Sequence, residues 1–552
     1  MGSMDPRLSH WMPGPEDDSE LVELTVGGLL DAAVERHPDR EAIVYSAYDD
    51  LGISVRWTYE GFRRRSLRVA RALIASNLER GDRVAIWAPN LPQWLELQFG
   101  AAYVGVIIVP LNPLYRAHEV EYVLNKSGAQ ICFVIPEHRG VDLMRELSSA
   151  LGKVAQSVRQ VVIGSSPSPE VVGWDEWLAQ ADCVGGEDLG RRMEDVVPSD
   201  TAQIQFTSGT TGTPKGVELS HRSVVNDARL FAQRAQMVEG GRHVNPMPYF
   251  HCGGSIMATL GPIAIGGTQL PIITFDAARV IKTVDLEKAT SVSLVPTMMI
   301  AIDENLERVG GSLTSLDVVV TGGSPVPPQL AHRWHQDFGC QFSITYGLTE
   351  TSPVITQTSP DDPVPLQIGT CGVALPGVEV DVVALDTGKR VPIGDQGELR
   401  TRGWLLMKGY WANPEATRAT ISDDGFLRTG DLARMDENGY VSITGRAKEM
   451  IIRGGENIYP AEVENALREI PEIVDAAVIG VPSERYGEEC VAFVRLTPGS
   501  SLSREEMVEK MRERIARFKV PHYLRCVDEF PLTLSGKVQK FVLRESFEEQ
   551  VR

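Results

Sequence analysis

A chain of 552 residues exceeds what one hydrophobic core supports, so two or more domains are expected. Its 43% hydrophobic and 23% charged residues suit a globular protein and exclude a disordered or fibrous one. A formal net charge of −20 argues against nucleic acid or an anionic membrane as the main partner, while leaving room for a local basic site for a phosphorylated ligand.

Residues 1–24 read as an N-terminal extension whose opening MGS, before a second Met, is an addition from cloning. No basic stretch followed by an apolar one marks a secretion signal. From Thr58 the chain alternates helices and strands. TYEGFRRRSLRVARALIAS is helical with Thr58 as N-cap, DRVAIWAPN a strand, PQWLELQFGAAYVG a helix and VIIVPLNP a strand. HEVEYVLNKSG follows as a helix capped by Gly128, then AQICFVI as a strand. This alternation predicts a largely parallel, helix-covered sheet. IGSSPSPEVVGWDEW and the acidic run to Asp200 read as a surface excursion. A helix is expected over SVVNDARLFAQRAQM, and strands over SVSLVP and LDVVVTGG. Cys252–Phe275 carries no charge, but Gly253, Gly254, Gly261, Pro262, Gly266, Gly267 and Pro271 interrupt it, so a buried helix, turn and strand are expected rather than a membrane span. Val378–Arg402 has the short strands of a smaller β subdomain. After Gly445 the order helix, strand, strand, helix defines a small α+β unit, which places the domain boundary between Gly445 and Met450. The seven cysteines (Cys132, Cys183, Cys252, Cys340, Cys371, Cys490, Cys526) form no C-x-x-C pair, as expected of reduced thiols in a cytoplasm-like compartment.

One stretch raises a chemical question. QFTSGTTGTPKGVELSH, from Gln205 to His221, packs glycines, hydroxyls and a lysine between an alternating strand and a helix beginning near Ser220. Counted from Gly209, the G-x-x-x-x-G-K-[ST] phosphate loop fails at Pro214 and Gly216, which disfavours ordinary P-loop chemistry. Glycines that let backbone N–H groups point inward, with hydroxyls and Lys215, still suit an anion. On these residues alone a flexible polar hairpin is an equal alternative.

FTSGTTGTPKGVELSH closely resembles the signature of the adenylate-forming superfamily, which comprises acyl-CoA synthetases, stand-alone adenylation domains and luciferases. Further motifs occur in that family's order: PYFH (248–251), GGSP (322–325), TYGLTE (345–350), LRTGDLA (427–433), GRAKEMIIRGGENIYPAEVE (445–464) and LSGKVQK (534–540). The resemblance spans about Thr25 to Lys540. It implies an α/β fold: a large N-terminal domain of mostly parallel helix-covered sheets plus a small β subdomain, then a mobile small α+β C-terminal domain. The expected divisions are an adenylation domain over 25–445, a hinge at 446–449 and a rotating domain over 450–552.

The implied chemistry has two steps: a carboxylate attacks the α-phosphorus of ATP, giving acyl-AMP and pyrophosphate, and a thiol then displaces AMP. By the same resemblance, Thr207, Ser208, Gly209, Thr210, Thr211, Gly212 and Lys215 hold the β- and γ-phosphates, and Glu350 is the Mg²⁺ ligand. Tyr346 meets adenine, Gly322, Gly323 and Ser324 line the base, and Thr345, Gly347 and Thr349 belong to the same nucleotide motif. Asp431 accepts the ribose hydroxyls and Arg446 reaches ribose or phosphate. Lys537 contacts the substrate carboxylate and α-phosphate during adenylation. Lys448 falls at the hinge, Gly454, Gly455 and Glu456 face the acyl-adenylate after rotation, and His251 gates the thiol tunnel.

Amino-acid-activating members carry Asp where this chain has His251, so an α-amino acid is disfavoured. The acid pocket is expected from Tyr249, Cys252, Gly253, Gly254, Leu348 and Pro353, whose small or apolar character suggests a sizeable acid: fatty, aryl or polycyclic. NPLYRAHEVEYVLNKSGAQ and GGENIYPAEVE most resemble fatty-acyl and medium-chain acyl-CoA synthetases. ATP, Mg²⁺ and CoA are the expected cofactors, in fatty-acid or secondary metabolism. A carrier-protein phosphopantetheine is the rival acceptor, an enzyme of one half-reaction is a further alternative, and a homodimer is left open. Luciferase-type oxidation is remote, and intact Lys215, Glu350, Asp431 and Lys537 argue against a non-catalytic binding protein.

Overall fold

The computed structural model describes residues 7–12, 21–46, 48, 52–164, 171–207, 214–324, 326–454, 456–483, 486–533 and 536–551. Two large sheets form the N-terminal part. The seven-stranded sheet runs 409–410, 215–220, 201–207, 107–110, 83–87, 131–134, 159–162, and the five strands from 201–207 onward are parallel. The nine-stranded sheet runs 373–374, 354–357, 341–347, 318–322, 291–294, 242–245, 268–271, 41–45, 55–58. Its six central strands, from 341–347 to 41–45, are parallel as well. Both fit strands that are apolar on both faces and covered by helices.

The local signals account for most helices. Tyr59–Ala75 begins at Thr58, whose hydroxyl accepts from Gly61 N at 3.1 Å. Ala117–Ser127 ends at Gly128 in the left-handed conformation. The uncharged stretch forms a five-residue π-turn (Gly253–Met257), a short helix (Ala258–Ala264) and the buried strand Thr268–Pro271. Among the described residues no helix is long and apolar enough to cross a membrane.

Three findings depart from the expected elements. The stretch before Asp200 is not a mere surface excursion: Trp174–Ala179 and Gly186–Glu194 are helices. Trp174 and Trp177 bury their rings against Phe133, with centroids 5.8 and 4.8 Å away, and that apolar area outweighs the acidic composition. His10–Trp11, within the supposed extension, pairs with Val378–Val383 as an edge strand of the small β subdomain. The expected helix does begin at Ser220, its N-cap, as His221–Arg234, but a strand not expected from the sequence precedes it. Lys215–Ser220 is a strand antiparallel to Thr201–Thr207.

The small β subdomain is a five-stranded antiparallel sheet ordered 10–11, 378–383, 397–403, 427–435, 441–446. Pairing changes sheet just beyond it. Arg446 still pairs with Asp431, whereas Ile451–Arg453 pairs with Glu456–Ile458 and Gly487 in a separate C-terminal sheet. That sheet has its own core of Ile451, Val463, Leu467, Val478, Ala492 and Met507.

Candidate active site

Parallel sheets gather functional groups at the carboxyl ends of their strands. Here Gly322 and Thr345–Gly347 end neighbouring parallel strands and Thr207 ends another. The glycines permit close backbone approach: a Cβ at Gly322 would lie 2.3 Å from Thr345 O, and one at Gly347 1.8 Å from Pro353 O. After Gly347 the chain makes a short 3₁₀ turn, Thr349–Thr351, which holds Glu350 at the strand end.

Asp431 and Arg446 face each other across adjacent antiparallel strands, with Arg446 Nε 2.9 Å from Asp431 Oδ1. Tyr346 donates its hydroxyl to Asp431 Oδ2 at 2.8 Å, and Asp431 N donates to Thr429 Oγ1 at 3.1 Å. Burial pushes the Asp431 carboxyl above its usual range, and Arg446, Tyr346 and Lys537 oppose that rise. Each carboxylate oxygen keeps a further lone pair for a hydroxyl donor.

Lys537 comes to this group from the C-terminal domain. A Cβ built at Gly323 lies 3.7 Å from Lys537 Cε. Lys537 keeps exposed surface, yet the surrounding protein and then the Arg446 charge hold its ammonium below the ordinary lysine range. Lys537 also acts on His251 and Cys252. His251 Nδ1 accepts from Gly253 N at 3.1 Å and lies 3.7 Å from Cys252 Sγ, which in turn lies 3.6 Å from Thr349 Oγ1. Withdrawal from water, with Lys537 adding to it, lowers the His251 pKa to about 4, so the ring is neutral at pH 7.

A second group forms around Tyr410, a residue that no motif singled out. Its hydroxyl donates to Glu350 Oε1 at 2.8 Å, and the Lys215 ammonium lies 4.7 Å from its ring centroid. It thus joins the proposed metal carboxylate to the proposed phosphate lysine. Thr207 pairs with Lys215 at the base of the hairpin. Ser208, Gly209, Thr210, Thr211 and Gly212 lie outside the described residues, as does Gly455. Ser324 is exposed beside Gly323, and Lys448 lies in the 3₁₀ turn Ala447–Glu449, directly after Arg446.

Gly454 and Glu456 are not brought to this cleft. Arg453–Glu456 closes a hairpin within the C-terminal domain, where Arg453 pairs with Glu489 at 2.7 Å and Gly454 N donates to Tyr486 O at 2.8 Å.

The residues expected to line the acid pocket lie at different depths. Tyr249 is wholly buried, 5.2 Å from Trp94 by ring centroid, with its N–H on Asn90 Oδ1 at 2.8 Å, so it is a core residue. A Cβ at Gly254 would lie 2.1 Å from Pro248 O, so this glycine is required by its own tight turn. Pro353 is buried behind Gly347, Cys252 and Gly253 are buried beside His251, and Leu348 is half-buried.

Residues 30–411 match the AMP-binding enzyme family and residues 462–537 match the AMP-binding enzyme C-terminal domain. A Bacillus subtilis (strain 168) protein named as an acyl-CoA synthetase, YngI, is 39% identical over 96% of this chain and 98% of its own length. The mitochondrial medium-chain acyl-CoA ligase ACSF2 of Mus musculus is 36% identical over 97% of this chain and 89% of its own. The crystal structure of ATP-bound MatB from Rhodopseudomonas palustris superposes with a TM-score of 0.79 at 27% identity, covering 96% of this chain and 100% of that one. The chain therefore belongs to the AMP-binding enzyme family, in the acyl-CoA synthetase group of AMP-forming ligases. ATP and CoA are the substrates of that group.

Proposed function

We propose that this ligase activates a sizeable non-amino carboxylic acid in one cleft and passes the acyl group to CoA. The observation that carries the reading is the convergence of Lys537 on Tyr346, Asp431 and Arg446 from a different domain. In the first step a carboxylate oxygen attacks the α-phosphorus and the bond to the β-phosphoryl oxygen breaks, releasing pyrophosphate. Lys537 and Arg446 offset the charge that gathers there, and Lys215 with the loop from Thr207 holds the departing group. Asp431 takes the ribose hydroxyls on its free lone pairs, and Tyr346 and Gly322–Ser324 bound the base. In the second step the thiol sulfur attacks the acyl carbon, AMP leaves with its oxygen, and the thiol proton passes to solvent.

Glu350 suits Mg²⁺. Tyr410 occupies Oε1, and among the described residues no cluster of three metal-binding side chains is present. A hard cation held by one carboxylate plus phosphate oxygens matches that donor set. When bound, it supplies charge neutralisation between phosphates.

His251, neutral and fixed on Gly253, gates the thiol path in this reading, and its presence instead of a carboxylate disfavours an α-ammonium. The size of the acid no longer rests on the glycines. It rests on similarity to a ligase named for medium-chain acids. Lys448 is the hinge about which 450–552 turns to bring Gly454–Glu456 to the adenylate. The free cysteines favour a cytoplasmic setting. Pyrophosphate exchange across acetate, medium-chain, aryl and polycyclic acids tests the reading: acetate as best substrate would overturn it. Mass spectrometry of products with CoA against holo carrier protein tests the acceptor.

A further inference from the structure

The hairpin carrying Lys537 is closed on itself. Thr533 N donates to Lys537 O at 2.8 Å, and Lys537 N donates to Thr533 Oγ1 at 3.0 Å. Such a unit places its lysine only as well as it is docked. Its docking partner is the helix Pro296–Val309 of the N-terminal domain. Thr297 Oγ1, in the first turn, donates to Gly536 O at 3.1 Å, one residue before Lys537. The approach is close: with φ +77, Gly536 would put a Cβ 2.5 Å from Thr297 Oγ1 and 2.6 Å from Val295 Cγ2. No side chain fits there without lifting the hairpin.

Two turns further along, Glu304 Oε1 accepts from Arg495 Nη1 at 2.8 Å. Residues seven apart share a helix face, roughly 10 Å from one another. Val474 of the C-terminal domain also packs against the core to which this helix contributes Met298, Met299 and Ile302. The two polar contacts therefore lie on one rail. None of these residues touches the cleft chemistry directly.

We propose that Thr297 is a positioning residue for Lys537 and that Glu304–Arg495 latches the C-terminal domain in the adenylating orientation. The rail makes the first half-reaction efficient and has no part in the second, for which the domain must leave it. This rests on the reading of Lys537 as the adenylation lysine.

The test separates the half-reactions in the full-length enzyme: ATP–pyrophosphate exchange, and transfer to CoA from supplied acyl-adenylate. Thr297→Val should slow exchange roughly two- to tenfold, as for one lost hydrogen bond. It should act on kcat rather than on KM for ATP and leave transfer unchanged, while Thr297→Ser restores exchange. Glu304→Lys should lower exchange by a few-fold, and Glu304→Lys with Arg495→Glu should recover it. Unchanged exchange in Thr297→Val, or an equal fall in both half-reactions, would overturn the proposal. Lys537→Ala in parallel tells which statement failed. If it retains exchange, the adenylation-lysine reading is wrong. If it loses exchange while Thr297→Val keeps it, only the rail is wrong.

Discussion

Two hairpins of the C-terminal domain carry the residues expected to act at the acyl-adenylate, and they lie in opposite circumstances. The one ending in Lys537 is docked on Val295 and Thr297, with its lysine among Asp431, Arg446 and Cys252. The one running from Arg453 to Glu456 is satisfied within its own domain, by Glu489 and Tyr486. The two pack on opposite faces of one strand pair, the second through Ile451 and Ile458 on Val478 and Ala492 and the first through Phe530 and Val538 on Ile479 and Val491, so the domain is one packed unit and bringing the second to the cleft withdraws the first. A single reaction site can be refitted for its second step by turning one domain.

The largest expected effect is on the docked hairpin. Lys537→Ala removes a fixed cation from the developing charge and should slow ATP–pyrophosphate exchange by about 10²–10³-fold. Next comes Asp431→Ala, which deletes a charged hydrogen-bonding partner and leaves Arg446 unpaired. A loss of roughly 10- to 100-fold in kcat/KM for ATP is expected from steady-state kinetics. On the undocked hairpin, Gly454 has φ +60 and a Cβ there would lie 3.3 Å from Tyr486 Cδ1, so Gly454→Val strains the turn. It should slow thiol transfer and spare exchange. Tyr410→Phe breaks the bond to Glu350 and should raise the Mg²⁺ concentration for half-maximal exchange by about two- to tenfold, measured by titration.

The smallest effect concerns stability and divides the domains. Burial lowers His221 and His251 to about 4 and His243 to about 3, all in the N-terminal part. The unfolded chain takes up protons near pH 6.5 that the fold refuses, so stability conferred by the neutral rings is full above that pH and declines as pH falls toward 4. Scanning calorimetry from pH 7.5 to 4.5 should show the N-terminal domain's transition moving down more than the C-terminal one.

What was legible in the sequence follows how the contacts are made. Tyr346, Asp431, Arg446 and Lys537 sit in contiguous motifs, so resemblance assigns them one at a time. Helices and strands with strong periodicity, such as Tyr59–Ala75, were equally readable. Tyr410 and Thr297 were not: their partners lie 60 and 239 residues away, and no local pattern records such pairings. Gly254 is ambiguous in the sequence for a related reason. A glycine signals open volume or close approach with the same letter, and only Pro248 O beside it decides.

Thiol transfer and pyrophosphate exchange, measured side by side on Lys537→Ala and Gly454→Val, test the alternation most directly. The expected result is a mirror image: Lys537→Ala transfers acyl groups from supplied acyl-adenylate to CoA but does not exchange, and Gly454→Val exchanges but transfers slowly. Loss of the same half-reaction in both variants would contradict it.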